Sequence, residues 1–169
     1  MDFSIDAELE LELVVRVLVA AILGAGIGFQ RSMARKPAGF RTHSLICIGA
    51  ALFTGVAEGF DQLNGFDPSR IAAGVVTGIG FVGTGVIMRS STGRVEGITT
   101  AASIWATAAV GVAVGTGLYI IGTFTAVLTG TVLAIGKFVD PERQVSEQRH
   151  RRKFEMRATQ EQKPEKVEE

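Results

Sequence analysis

The side chains that most often bind metals or act as nucleophile and base are scarce here: two histidines, His43 and His150, and one cysteine, Cys47. No His, Cys, Asp or Glu cluster has metal-site spacing, and a single cysteine makes neither an intramolecular disulfide nor a thiolate cluster. No nucleophile sits with a base and no two acids are placed to act together, so the residues give catalysis no support. Glu58, Asp61 and Asp67 are weak metal candidates, as magnesium prefers carboxylate and water oxygens and gives up its water reluctantly. Gly78-Ile79-Gly80-Phe81-Val82-Gly83 fits the dinucleotide pattern G-x-G-x-x-G. The match is read as false, because that pattern needs a strand before it and a long helix after it. Hydroxyl-bearing stripes remain at helical spacing: His43, Cys47 and Thr54 leading to Glu58; Arg70, Thr77 and Thr84; and Thr100, Ser103 and Thr107. Such stripes either line a cavity or bond across helices and back to their own helix, and the second reading is preferred.

What must position these residues follows from the distribution of charge. Gly97 to Gly136 holds no charged residue, whereas Lys137 to Glu169 holds half of the Lys, Arg, Asp and Glu in the chain. A surface helix must turn one face to water, so such a run belongs in a bilayer. At ~1.5 Å per residue it would reach about twice the ~30 Å hydrocarbon thickness, and it must fold back at Gly115-Thr116-Gly117. Earlier spans are expected at Leu13 to Phe29, from Arg41-Thr42-His43 to about Ala57, and at Ile71 to Met88. The expectation is an all-α integral membrane bundle of five transmembrane helices over residues 1–139, followed by a charged cytoplasmic tail over 140–169. The tail is expected to be solvated; its basic run, Arg149 to Lys153, is the segment that would touch anionic lipid. Arg16, near the start of the first span, is expected to snorkel to the headgroups. No cleavable leader is expected, because the extreme N-terminus is acidic.

Sidedness follows from the loops. With five spans and the C-terminus inside, Arg31, Arg35, Lys36, Arg41, Arg89 and Arg94 fall inside with one acid, Glu96. Asp2, Asp6, Glu8, Glu10, Glu12, Glu58, Asp61 and Asp67 fall outside with Arg16 and Arg70. Positive residues favour the cytoplasmic side, so the N-terminus is expected outside. The third span carries Gly74, Gly78 and Gly85 on one side and Gly80 and Gly83 on the other, which suggests a central helix packed on both. Gly80 and Gly83 also allow a broken helix with backbone groups facing a cavity, as in discontinuous transporter helices. Trp105 lies near the middle of its span, where its indole N–H needs a partner, so it is expected to face the bundle or a subunit contact.

Three blocks add a likeness to a known family: Lys36-Pro37-Ala38-Gly39-Phe40-Arg41-Thr42-His43; Asp67-Pro68-Ser69-Arg70-Ile71-Ala72-Ala73 running on to Gly78–Gly83; and Gly97-Ile98-Thr99-Thr100-Ala101-Ala102-Ser103-Ile104-Trp105-Ala106. In order and spacing they resemble the MgtC/SapB family, over roughly residues 13 to 136. The resemblance implies a five-span bacterial inner-membrane protein tied to magnesium homeostasis and low-magnesium adaptation, in a family associated with virulence. It points to Arg31, Arg41, Thr42, His43, Asp67, Ser69, Arg70, Gly78, Gly80, Gly83, Arg89, Thr99, Thr100 and Trp105 as functional candidates. Two departures limit it: Gln30 stands where members often carry an acid, and many members have a folded C-terminal domain where this chain has its charged tail.

The function expected is that of a non-enzymatic regulator acting by helix contacts with another membrane protein or with a second copy of itself. The alternative is a transporter or channel for magnesium or another cation. No cofactor is expected beyond magnesium as ligand or cargo, the partners expected are the lipid bilayer and a membrane protein, and no nucleic acid is expected.

Overall fold

The computed structural model describes residues 7–61, 67–89 and 95–139. Five helices, α1 (Ala7–Met33), α2 (Phe40–Asp61), α3 (Ser69–Val86), α4 (Ile98–Gly115) and α5 (Tyr119–Val139), are each long and apolar enough to cross a bilayer. Asp2, Asp6, Ser90, Ser91, Arg94 and the tail with His150 lie outside the described residues, and for Asp61 only the backbone is described. Residues through Leu133 form one compact unit, and the last turn of α5 belongs to a second.

The helix at the centre is α2, not α3. Gly24 and Gly28 on α1 are one turn apart and face it. A Cβ at Gly24 would lie 2.7 Å from both the Cys47 Cβ and the His43 carbonyl, and one at Gly28 would lie 2.7 Å from the Phe40 Cα. On α4, Gly111 and Gly115 repeat the spacing. A Cβ at Gly111 would sit 2.5 Å from the Cys47 carbonyl oxygen, and one at Gly115 would sit 2.5 Å from the Ala51 carbonyl oxygen. Lipid is as apolar as leucine, so helices in a bilayer associate through close van der Waals packing, which these two small-residue edges permit. The core beside them holds Ala20, Ile27, Cys47, Ala51, Val110, Val114 and Ala126.

α3 is peripheral. A Cβ at Gly74, Gly78, Gly80 or Gly85 would meet nothing within 4 Å, and Gly83 alone approaches a neighbour, at 3.7 Å from the Ala101 Cβ. Glycine permits close approach on any side but does not supply the partner, which is why the sequence placed this helix wrongly. Nor is it broken: α3 runs without interruption through Gly80 and Gly83.

The ends of the helices follow their local chemistry. Arg35, in the left-handed region at φ +51°, ends α1 with the Lys36 amide on the Arg31 carbonyl and its own amide on the Ser32 carbonyl. Gly117, at φ +74°, repeats the arrangement after α4, with the Leu118 amide on Ala113 and its own on Val114. Both are Schellman ends, the second with the residue that suits it best. The expected hairpin at 115–117 is therefore present. α1 is longer than the span expected at Leu13 to Phe29, because Glu8 and Glu10 are favourable in a first turn. The loop between α3 and α4 contains a two-residue antiparallel pair, β1 (Met88–Arg89) with β2 (Val95–Glu96), too short for any sequence pattern to reveal.

A β-branched side chain at Gly111 meets backbone and should destabilise by at least about 1–3 kcal/mol, the usual cost of overpacking. Gly111→Val is expected to lower the thermal midpoint of the detergent-solubilised protein, whereas Gly74→Val leaves it unchanged. Equal midpoints for the two variants would contradict the central placement of α2.

Candidate functional site

Buried polar side chains gather at the two ends of the α1, α2 and α4 assembly. At one end Arg16 of α1 is only 7% exposed. Its Nε and Nη2 donate to Glu12 Oε1 at 3.2 and 2.6 Å, its Nη1 donates to the Gly115 carbonyl at 2.7 Å, and it is ion-paired with Glu58. One guanidinium thus joins α1, α2 and the C-terminal end of α4, where the helix dipole favours a cation. Arg16 is thus held within the bundle, where two carboxylates and a carbonyl compensate its charge.

At the other end Arg31 is 4% exposed and its Nη2 donates to Thr100 Oγ1 at 2.7 Å, bridging α1 and α4. His43 is fully buried, with Nδ1 3.0 Å from the Gly39 carbonyl and Nε2 3.2 Å from Ser103 Oγ. With Nδ1–H donating to Gly39, the neutral ring leaves Nε2 as acceptor. The Ser103 hydroxyl is then shared between that nitrogen and the Thr100 carbonyl at 2.8 Å. Thr107 and Thr54 donate to carbonyls one turn earlier on their own helices. The stripe of Thr100, Ser103 and Thr107, and the His43 stripe as far as Thr54, therefore serve interhelical and local bonds.

The other candidates are placed separately. Glu58 is engaged by Arg16, Asp67 is exposed beside the start of α3, and among the described residues no three His, Cys, Asp or Glu side chains converge as metal ligands. Asp67 Oδ1 accepts the Ser69 amide at 2.9 Å; bonding from Ser69 and the charge of Arg70 hold its carboxyl below the usual carboxylate range. Arg41, Arg89 and Thr99 are exposed, and Thr42 is half-buried. Trp105 is 53% exposed and so does not face the bundle, contrary to one of the two expectations for it. Thr77 and Thr84 are exposed, their hydroxyls donating at 3.0 Å to the Ala73 and Gly80 carbonyls of their own helix. Between α2 and α3 lies a groove of about 500 Å³, lined by Leu45, Gly49 and Phe53 of α2 and Arg70, Gly74 and Gly78 of α3 among others.

Sequence reasoning missed the Arg16–Glu58 and Arg31–Thr100 bonds and the groove. The four-residue spacing of Glu12 and Arg16 was the one available signal, since such neighbours meet on a helix. The long-range partners had none.

The MgtC family profile matches residues 17–141. Over 131 residues, 73% of this chain and 60% of the relative, the chain is 48% identical to "Putative magnesium transporter YhiD" of Escherichia coli K12. It is 45% identical over 130 residues to protein SrpB of Synechococcus elongatus, covering 68% of this chain and 70% of that one. To protein MgtC of Brucella abortus it is 41% identical over 130 residues, 76% of this chain and 51% of that one. The chain thus spans about 60% of the length of YhiD and about half that of the Brucella relative. No solved structure matches.

An interhelical hydrogen bond in a membrane protein is worth about 0.6 kcal/mol on average and up to about 1.7. Thr100→Val removes one from a buried guanidinium and should reach the upper end, lowering the thermal midpoint, while Thr99→Val, on the exposed face, should not. Indistinguishable melting curves would argue against the Arg31–Thr100 bridge.

Proposed function

As the chain belongs to the MgtC family, we propose that it is a magnesium-related protein of the bacterial inner membrane that acts as a regulator, without catalysing a reaction, through contacts of α3 with another membrane protein or a second copy. One observation carries this reading. Ala73, Thr77, Gly80 and Thr84 form a stripe along α3, all exposed, with the two hydroxyls bonded back to the carbonyls of Ala73 and Gly80. Hydroxyls satisfied in this way need neither water nor an ion, and a row of small residues is the surface on which another transmembrane helix packs closely. Exposed Phe81 flanks it. Magnesium enters as the ion whose supply the protein serves, and the charge of the loops supports an outside N-terminus.

The printed name of the E. coli relative favours a second reading, magnesium transport. A path along Thr77 and Thr84 would then be needed, yet these side chains lie on the outer surface of a single copy and could line a path only between copies.

Gly80→Leu places a bulky group on the stripe without meeting anything in the fold, where a Cβ has no neighbour within 4 Å. It is expected to reduce growth in low-magnesium medium to the level of a deletion strain while the purified protein keeps its melting behaviour, and wild-type protein in liposomes is expected to pass no magnesium. Specific magnesium uptake abolished by Thr77→Leu would establish the transporter instead.

A further inference from the structure

We propose that the groove between α2 and α3 binds an anionic phospholipid, one acyl chain lying along the groove and the phosphate held by Arg70. This rests on the fold alone and not on the regulatory reading. The groove, about 500 Å³, lies between two helices able to cross a bilayer, so its depth is that of hydrocarbon. Apart from Arg70, its lining is aliphatic, aromatic or glycine.

Three glycines keep it open. A Cβ at Gly49, Gly74 or Gly78 would meet nothing within 4 Å, in contrast to Gly24 and Gly111, whose missing side chains are filled by neighbouring backbone. The lack of side chains at 49, 74 and 78 therefore leaves volume rather than close helix contact. Along α3 the lining runs from Arg70 to Ile79, about 14 Å at ~1.5 Å per residue, or roughly half of the ~30 Å hydrocarbon core. That is the depth of one leaflet and the reach of one acyl chain.

Arg70 stands at the polar end of this span, in the first turn of α3, and is exposed. Its side chain makes no hydrogen bond or ion pair among the described residues, although its charge acts on Asp67. A long cationic side chain at a helix end reaches for the headgroup layer, and the guanidinium fork matches a phosphate in two-point contact. A protein helix about 10 Å across would fill the groove but would meet Arg70 only by carrying a carboxylate of its own to that height. An anionic lipid satisfies both ends of the site.

The test uses the full chain in nanodiscs made with phosphatidylglycerol or with phosphatidylcholine of the same acyl chains, followed by a delipidating wash and mass spectrometry of the lipid retained per protein. Wild type is expected to retain phosphatidylglycerol about tenfold better than phosphatidylcholine. Arg70→Gln should abolish the preference, Arg70→Lys should keep part of it, and Gly78→Leu should reduce retention of both lipids. An unchanged size-exclusion profile checks that each variant is folded, and the Gln and Lys pair decides the matter even if the Leu variant is not. Equal retention of the two lipids by wild type, or phosphatidylglycerol retained undiminished by Arg70→Gln, would overturn the proposal. So would efficient disulfide formation between copies of Gly78→Cys, which would place a second chain in the groove. The readout is on purified protein, so its outcome is separate from growth in low magnesium.

Discussion

Everything in this bundle depends on how closely the backbone of α2 is approached at Cys47. Gly24 of α1 abuts its Cβ and Gly111 of α4 abuts its carbonyl oxygen, each at a distance that leaves no room for a methyl group. In a bilayer no expulsion of water holds helices together, so contact area at short range has to do so. The polar bonds follow from that proximity. Arg16 reaches the end of α4, and Arg31 reaches Thr100, because the three helices stand close enough for one side chain to cross between them. Each guanidinium is buried at an acceptable cost only because partners from a neighbouring helix are within reach.

The three blocks that resemble the family are used differently. The first, Lys36 to His43, turns the chain from α1 into α2, with the Ser32 hydroxyl accepting the Phe40 amide at 2.9 Å and Ala38 buried at the corner. The third begins α4 and supplies Thr100 and Ser103 to the buried bonds. The second builds α3, and it contributes little to the interior. Two blocks therefore hold the bundle together, while the block with the most glycine presents itself outward.

How much of this could be read from the sequence depended on whether the cause was local. Five spans followed from a stretch of uncharged residues and from the spacing of the loops, and the turn at Gly117 followed from a residue that tolerates a positive φ. Gly24 with Gly28, and Gly111 with Gly115, were visible as packing edges, but so were the glycines of α3, and nothing local distinguishes an edge that is filled from one that is not. Thr100, Ser103 and Thr107 were legible as a polar stripe, whereas their partners, Arg31 and His43, lie some sixty or more positions away and were not. The partner of Arg16 was hidden for the same reason: its compensating carboxylate, Glu58, is on another helix.

The order of helices along the chain has a consequence for biogenesis. The side of α2 that receives Gly111 and Gly115 has no occupant until α4 has been synthesised, and α3 emerges first. At about 5–20 residues per second that interval lasts seconds, long compared with helix motions in the bilayer. During it, α2 pairs with α1 alone and its open side is bare to lipid and to α3. A peripheral α3, which touches α2 far less than α1 and α4 do, is suited to this schedule, since it can leave that side to α4 and then pack on α4 itself. The sparse contact between the glycine-rich helix and α2 then suits inserting the chain in sequence, as well as shaping the finished protein.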